Sequence, residues 1–491
     1  MSMWASTADS MTVNISPRSQ TMTDIETENF TAFAQKMRAH GLSEDLIRLF
    51  RSYYVEVTQN HTGYIYEHEL LPVAAADLQH VDSLAEYREA GLAASRNTVV
   101  IKLNGGLGTS MGMTHAKSLI PIYGELRFLD IIMQQALLQQ KQCGGPLPLA
   151  LMNSFSTHQD TLDELKKIQE EDCRQCTPLC FVQHKFPKVS RKTLQPASYP
   201  EDPSQEWNPP GHGDLYASLV TSGVLNDLLA QGKRYAFVSN SDNLGATLEM
   251  GILGYMAEEE IPFIMEVAPR TKSDRKGGHL AIHRDGGMVL RELAQCPPDE
   301  VEAFQDITRY GLFNTNNLWV DLLALKTRIE QEGLLRLPVI LNPKTVNPRD
   351  KQSEPVWQIE TAMGAGISMF PGAKAVVINR DRFIPVKKCS DLLAVMSDCF
   401  ELNEGAVSFS PECKNPTPQV TLDDAYYDHY DKLRERVPFG PPSLKECRSL
   451  TVKGDVSFGA NVVIKGDTTI IAAGGKAYIP DNAVLEGDIF L

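Results

Sequence analysis

The sequence predicts an α/β fold: a mixed, mostly parallel sheet with helices on both faces, preceded by a small helical region and followed by a short β-helix. Three observations predict it. In the middle of the 491-residue chain, short apolar runs alternate with amphipathic stretches. Such strand–helix alternation builds a parallel sheet, because each crossover must pack back onto it. The N-terminal part instead places apolar residues at helical spacing. Near the C-terminus, small aliphatics recur about every six residues with glycines at the turns, the rhythm of a β-helix.

In chain order, Phe33, Met37, Leu42, Leu46, Ile47 and Phe50 mark helical segments between Thr23 and Val57. Gly41 breaks that run, and Ser43 followed by Asp45 starts a second helix. Gly63 to Arg96 is acidic and reads as an irregular connector. Strands are expected at Thr98–Leu103, Leu147–Met152, Tyr235–Val238, Phe263–Val267 and Ala375–Ile378. Helices are expected at Phe128–Gln140, Thr161–Gln169 and Leu215–Leu229, with a linking helix at Asp391–Phe400. Beyond it, Val456, Val462 and Ile464 alternate with Gly454, Gly459 and Gly466, and Ile479 to Asp488 repeats the pattern. Two or three coils fit, and they need a neighbour to bury their ends. An ordinary β-meander is the rival reading. The expected division is 1–95, 96–388 and 389–491.

The formal charge is 47 − 62 = −15. So acidic a surface argues against nucleic acid and anionic membranes as partners, both of which select basic patches. A phosphorylated substrate stays compatible, since a few local lysines hold one. Nine cysteines suit a reducing compartment better than a disulfide framework. The tightest group, Cys173, Cys176 and Cys180, lacks the fourth ligand of a structural zinc and reads as free thiols around a turn. No apolar run approaches the ~20 residues of a membrane span. The polar N-terminus does not read as a secretory signal, and Asp488–Leu491 is not a peroxisomal address. The expected compartment is the cytoplasm.

Chemistry concentrates where the strand Val99–Leu103 runs into Asn104–Gly112. Four glycines in eight residues let backbone N–H groups converge on an anion, with no Cβ in the way, and Lys117 follows. Phosphate is the commonest such anion. An NAD-dependent dehydrogenase fits poorly: Gly106 and Gly108 match its fingerprint, but the third glycine falls one place late and Asp130 lies inside a helix. A Walker loop fails too, because no glycine precedes Lys117. Asp242, beyond the strand Tyr235–Val238, is either a helix cap or a metal ligand. His279 and His283 would lie ~13 Å apart on a strand, which sets a metal pair aside.

The string Lys102–Gly112, followed by Lys117–Ile120, resembles the signature of eukaryotic UDP-glucose pyrophosphorylases. Related nucleotidyltransferases usually carry arginine where this chain has Ser110. Further matches are Gly211–Asp214, Val238–Leu244, Gly277–Leu280, Phe313–Trp319 and Arg382–Lys388. The likeness runs from about Glu28 to the C-terminus and weakens between Lys188 and Pro210. Met113–Ala116 departs from the family, where many relatives carry lysine, glycine and proline.

The resemblance implies a Rossmann-like nucleotidyltransferase core and a left-handed C-terminal β-helix. It implies that UTP and glucose 1-phosphate give UDP-glucose and pyrophosphate with Mg²⁺. It also implies roles. Leu103, Asn104, Gly105 and Gly106 would hold UTP through their backbone. Lys117 would neutralise the triphosphate and Lys387 would bridge the reacting phosphates. Asp242 would hold the metal and contact UTP, and Ser241 beside it would contact UTP. Gln183 and Gly211 would read uracil. His212 would lie near the sugar phosphate or α-phosphate. Asn240, Gly278, Glu292 and Asn314 would contact ribose or sugar. The chain stops sooner than relatives that assemble as octamers through this end, which favours a monomer and leaves self-association through the C-terminal domain as the alternative.

Overall fold

The computed structural model describes residues 24–172, 177–403, 406–415 and 418–491. The N-terminal tail, Cys173 and Cys176 lie outside the described residues.

Helices α1 (Asp24–Ala39) and α2 (Glu44–Thr58) form the N-terminal region. Gly41 sits at φ +74° between them, and the Ser43 hydroxyl accepts from the Leu46 N–H to cap α2. Phe33, Leu46, Phe50 and Tyr54 pack against Phe186, Trp207, Val339 and Ile359. That neighbour includes a three-stranded antiparallel sheet of Val189–Ser190, Pro355–Thr361 and Val339–Thr345.

The centre is an 11-stranded sheet. Its main path uses β1 (Gln79–His80), β2 (Thr98–Asn104), β3 (Leu149–Asn153), β4 (Leu179–Val182), β5 (Tyr235–Asn240), β6 (Phe263–Pro269), β7 (Leu312–Asp321) and β8 (Lys374–Val377). In space the order is β1-β8-β6-β7-β5-β2-β3-β4. Only β7 runs antiparallel to its neighbours on this path. The sheet is therefore mixed and mostly parallel. Side chains alternate between two apolar layers: Val99, Ile101 and Leu103 enter one, while Val100, Phe237 and Trp319 enter the other.

Three expectations need correction. The connector is not irregular throughout: β1 joins the sheet, Leu70–Pro72 pairs with His279–His283, and Arg88–Ser95 is a helix packed on Met250–Glu258. The helix at Leu215–Leu229 is two, Leu215–Thr221 and Val224–Ala230, because Gly223 between them adopts φ +81°. The linking helix is Cys389–Met396, and Phe400 already begins a strand.

The C-terminal strands are β9 (Gln419–Leu422), β10 (Ser443–Lys453), β11 (Val456–Phe458), β12 (Val463–Ile471), β13 (Ala477–Ile479) and β14 (Val484–Phe490). They stack in the order β9-β10-β12-β14 with β11 beside β13, and every pairing is parallel. A meander pairs antiparallel, so it is excluded. Leu450, Val456, Phe458, Ile464 and Ile479 point inward and belong to the same continuous core as Val100 and Phe237.

Candidate active site

Seven of the eight path strands run one way, so their carboxyl ends share one edge, where open α/β sheets bind ligands. The glycine loop leaves β2 there, Gln183 follows β4, and Asn240 to Asp242 end β5. The antiparallel β7 starts at the same edge, which delivers Asn314.

The loop is built for close approach. Gly106 is exposed and faces open space. A Cβ on Gly105 would lie 2.9 Å from the Gln183 amide nitrogen. Gln183 is buried against the loop, its backbone N–H held by the Asn153 carbonyl at 2.8 Å. Lys117 N–H donates to the Gly106 carbonyl (3.0 Å) and its ammonium pairs with Asp242 Oδ2. Asp242 Oδ1 is buried with no hydrogen-bond partner.

Lys387 arrives from the other side. Val386 N–H donates to the Asp242 carbonyl (3.2 Å), and the Ser110 hydroxyl donates to the Lys387 carbonyl (2.9 Å). Lys387 N–H is fixed by Asp391 at 2.7 Å. The Lys387 charge reaches both His212 and Glu292. His212 Nδ1 accepts from the Met363 N–H at 2.9 Å, so the neutral ring carries its proton on Nε2. Burial, helped by Lys387, pushes its pKa down to about 4. At neutral pH it is a donor and not an acid catalyst.

Gly211 needs to be glycine twice over, for its φ of +77° and for the Thr361 carbonyl 2.5 Å from where a Cβ would stand. On the sugar side, a Cβ on Gly278 would strike the Glu292 carboxyl at 2.6 Å. Burial pushes that carboxyl up, while Lys387 pulls it down. The Gly278 carbonyl accepts from Asn314 N–H at 2.9 Å, and Asn314 lies against Gly364, next to Met363. Contacts link Gly105, Gln183, Lys117, Asp242 and the Lys387 segment on one side of the rim and His212, Asn314, Gly278 and Glu292 on the other, and the Lys387 charge acts across to His212 and Glu292.

At the start of the loop, side-chain and carbonyl groups are used internally. The Asn104 amide points inward and donates to Asn153 (2.8 Å) and Thr161 (3.0 Å). The Leu103 carbonyl is taken by Ser241 N–H at 3.1 Å. These two residues brace the loop. Sequence reasoning missed Met363, which fixes His212, and Asp214, which holds His184 beside Gln183 through its backbone N–H at 2.6 Å. The Gly211–Asp214 motif signalled only Asp214.

The sequence pattern of UTP–glucose-1-phosphate uridylyltransferase matches residues 47–465. The chain belongs to that family. It is 42% identical to the Saccharomyces cerevisiae uridylyltransferase over 389 residues, 79% of this chain and 76% of the relative. It is 43% identical to the Hordeum vulgare uridylyltransferase over 391 residues, 79% of this chain and 80% of the relative. A variant of UDP-glucose pyrophosphorylase from Leishmania major, solved with UDP-glucose, superposes with a TM-score of 0.88 at 41% identity, covering 96% of this chain and 100% of that one. The family's reaction is therefore this chain's: UTP and glucose 1-phosphate give UDP-glucose and pyrophosphate.

Proposed function

We propose that this uridylyltransferase works by holding two polyanions together on the rim described above. The attacking oxygen of glucose 1-phosphate is already an anion, so no strong base is needed. The barrier is mutual repulsion, which positioning and charge neutralisation lower. Backbone N–H groups from Gly105 and Gly106 bind the triphosphate. Lys117 neutralises it, and Lys387 spans the α-phosphate and the incoming sugar phosphate. His212 donates from Nε2 to a phosphate oxygen. Gln183 offers a donor and an acceptor to the uracil imide, with Gly211 backbone beside it. Asn240 takes ribose, while Glu292, Asn314 and Gly278 take sugar hydroxyls.

The residues fit Mg²⁺. Asp242 presents one buried, unpartnered carboxylate oxygen. Among the described residues no group of three or more His, Cys, Asp or Glu side chains is placed to hold a metal. One carboxylate completed by substrate phosphates is how Mg²⁺ is commonly bound. When bound there it would neutralise charge on the triphosphate.

The observation that carries this reading is the Lys117–Asp242 pair, locked to the Lys387 segment and facing the glycine loop. Incubation with UTP, Mg²⁺ and a panel of sugar 1-phosphates, with pyrophosphate measured, tests it. Fastest release with glucose 1-phosphate is expected; release equally fast without Mg²⁺ overturns the metal assignment.

The same reading assigns 1–95, 96–388 and 389–491 to the N-terminal, catalytic and C-terminal parts, with the parallel coils wound as a left-handed β-helix. It also proposes the cytoplasm as the compartment and a monomer, with self-association through the C-terminal domain as the alternative. No helix among the described residues is long and apolar enough to cross a membrane.

A further inference from the structure

Seven cysteines among the described residues are free, and two of them meet. Cys399 follows the helix Cys389–Met396 and is fully buried. Cys413 is half-buried on the turn leading towards β9. Their sulfurs lie 2.9 Å apart, and Cys413 Sγ is also 2.9 Å from the Asn415 carbonyl oxygen.

The backbone around the pair is braced. Ser410 N–H donates to the Cys399 carbonyl (2.8 Å) and Cys413 N–H to the Ser410 carbonyl (3.0 Å). Lys414 N–H donates to the Lys445 carbonyl on β10 (2.8 Å). The sulfurs are thus held in contact by hydrogen bonds that do not involve them. Burial, followed by the neighbouring Cys413, pushes the Cys399 thiol far up. Cys399 stays protonated at neutral pH, and the accessible sulfur is Cys413. The third nearby thiol, Cys447, is fully buried, and burial, Asp467 and Cys413 push it up to about 11.

We propose that Cys399 and Cys413 form a disulfide when the protein meets a peroxide. The Cys413 thiolate attacks one peroxide oxygen. An S–O bond forms, the O–O bond breaks, and the leaving oxygen takes a proton to give water and a sulfenic acid. The Cys399 sulfur then attacks Cys413 Sγ, an S–S bond forms, and hydroxide leaves with the Cys399 proton as a second water. Two thiols are oxidised by two electrons and one peroxide is reduced to two waters.

The bond closes a loop between residues 399 and 413 that contains the hairpin Phe400–Asn403 and Ala406–Phe409. Val407, Ser408 and Phe409 of this hairpin line a cavity together with Gly245, Thr247 and Arg382, behind the Asp242 loop. Neither sulfur touches the active-site rim. The bond therefore acts as a staple that closes this hairpin loop beside the coils, and turnover is retained.

The test is peptide mapping of the intact wild-type chain. Protein is treated with hydrogen peroxide, remaining thiols are alkylated, and the chain is digested without reductant. A linked Cys399–Cys413 peptide that disappears with dithiothreitol is expected. The oxidised sample should melt a few degrees higher, with turnover within about twofold. That rise should vanish in Cys413→Ser. Recovery of Cys399 and Cys413 as separately alkylated peptides, or of Cys413 joined to Cys447, overturns the pairing. A linked sample with an unchanged melting midpoint overturns the staple.

Discussion

Lys387 makes no ion pair among the described residues, yet its charge reaches His212 and Glu292. In the proposed mechanism Lys387 spans the two phosphates, and a lysine in that role contributes mainly in the transition state. Lys387→Ala is expected to cut turnover about a hundredfold or more while changing the KM for UTP by less than about threefold; equal losses in steady-state kinetics contradict the role. Lys102 acts differently. It is buried, and its ammonium donates to Ser239 Oγ (2.8 Å) and the Ala246 carbonyl (2.7 Å), on either side of Asp242. Lys102→Met is expected to lower kcat/KM roughly tenfold and to raise the Mg²⁺ concentration for half-maximal rate, because the loop loses its clamp. A Mg²⁺ titration that matches wild type, in a variant that only melts earlier, rejects this. The glycine loop was legible in the sequence because a missing Cβ is a local property. The bracing side-chain roles of Lys102 and Asn104 were not, because their partners at 239, 246, 153 and 161 come close only through the parallel register of β2 with β5 and β3.

Elements were legible where one period was sustained. β2, β5 and β6 were expected within two residues of their observed ends, since continuous apolar runs mark strands buried on both faces. β7 was hidden by its own polar residues. Asn314, Thr315, Asn316 and Asn317 interrupt the apolar pattern, and they are tolerated because Asn317 donates to the buried Glu266 at 2.9 Å, which also holds Trp319 and Arg382. Asn316 adopts φ +61°, opposite a register shift in β6. The helix Arg88–Ser95 was missed because its role is close packing. A Cβ on Gly91 would lie 1.8 Å from the Met250 carbonyl oxygen, and one on Gly254 1.9 Å from the Tyr87 carbonyl oxygen. These are backbone atoms that cannot swing aside. Gly254→Val is therefore expected to destabilise the fold by about 2–3 kcal/mol in urea unfolding, through overpacking, and to leave kcat at low temperature nearly unchanged.

At the scale of the whole molecule, one apolar core runs from Leu84 through Phe237 to Ile479, so the sheet and the coils share their stability. The response to acid is then a property of the entire fold, and buried neutral histidines contribute to it. His279 is fully buried, with its ring stacked 3.9 Å from Tyr310 and tilted against Phe304 at 4.8 Å. Neither ring nitrogen has a hydrogen-bond partner. Burial, then Arg270 and Arg291, pushes its pKa down from 6.5 to about 3. The unfolded chain therefore binds a proton between those values that the folded chain refuses. This contribution leaves stability flat above pH 6.5 and lowers it as pH falls towards 3. At pH 4.5 the cost is ~3 kcal/mol, two pKa units. His212 adds a loss of the same sign. His279→Phe keeps the stacked ring and removes the titration. Urea unfolding at pH 7.5 and 4.5 is expected to show the variant losing ~2–3 kcal/mol less than wild type on acidification. Carboxylates paired with Arg291, such as Glu67 and Glu300, are common to both proteins and cancel in that comparison. Identical losses in the two proteins would mean that the His279 ring accepts a proton in the folded state, against the burial and the two guanidinium charges around it.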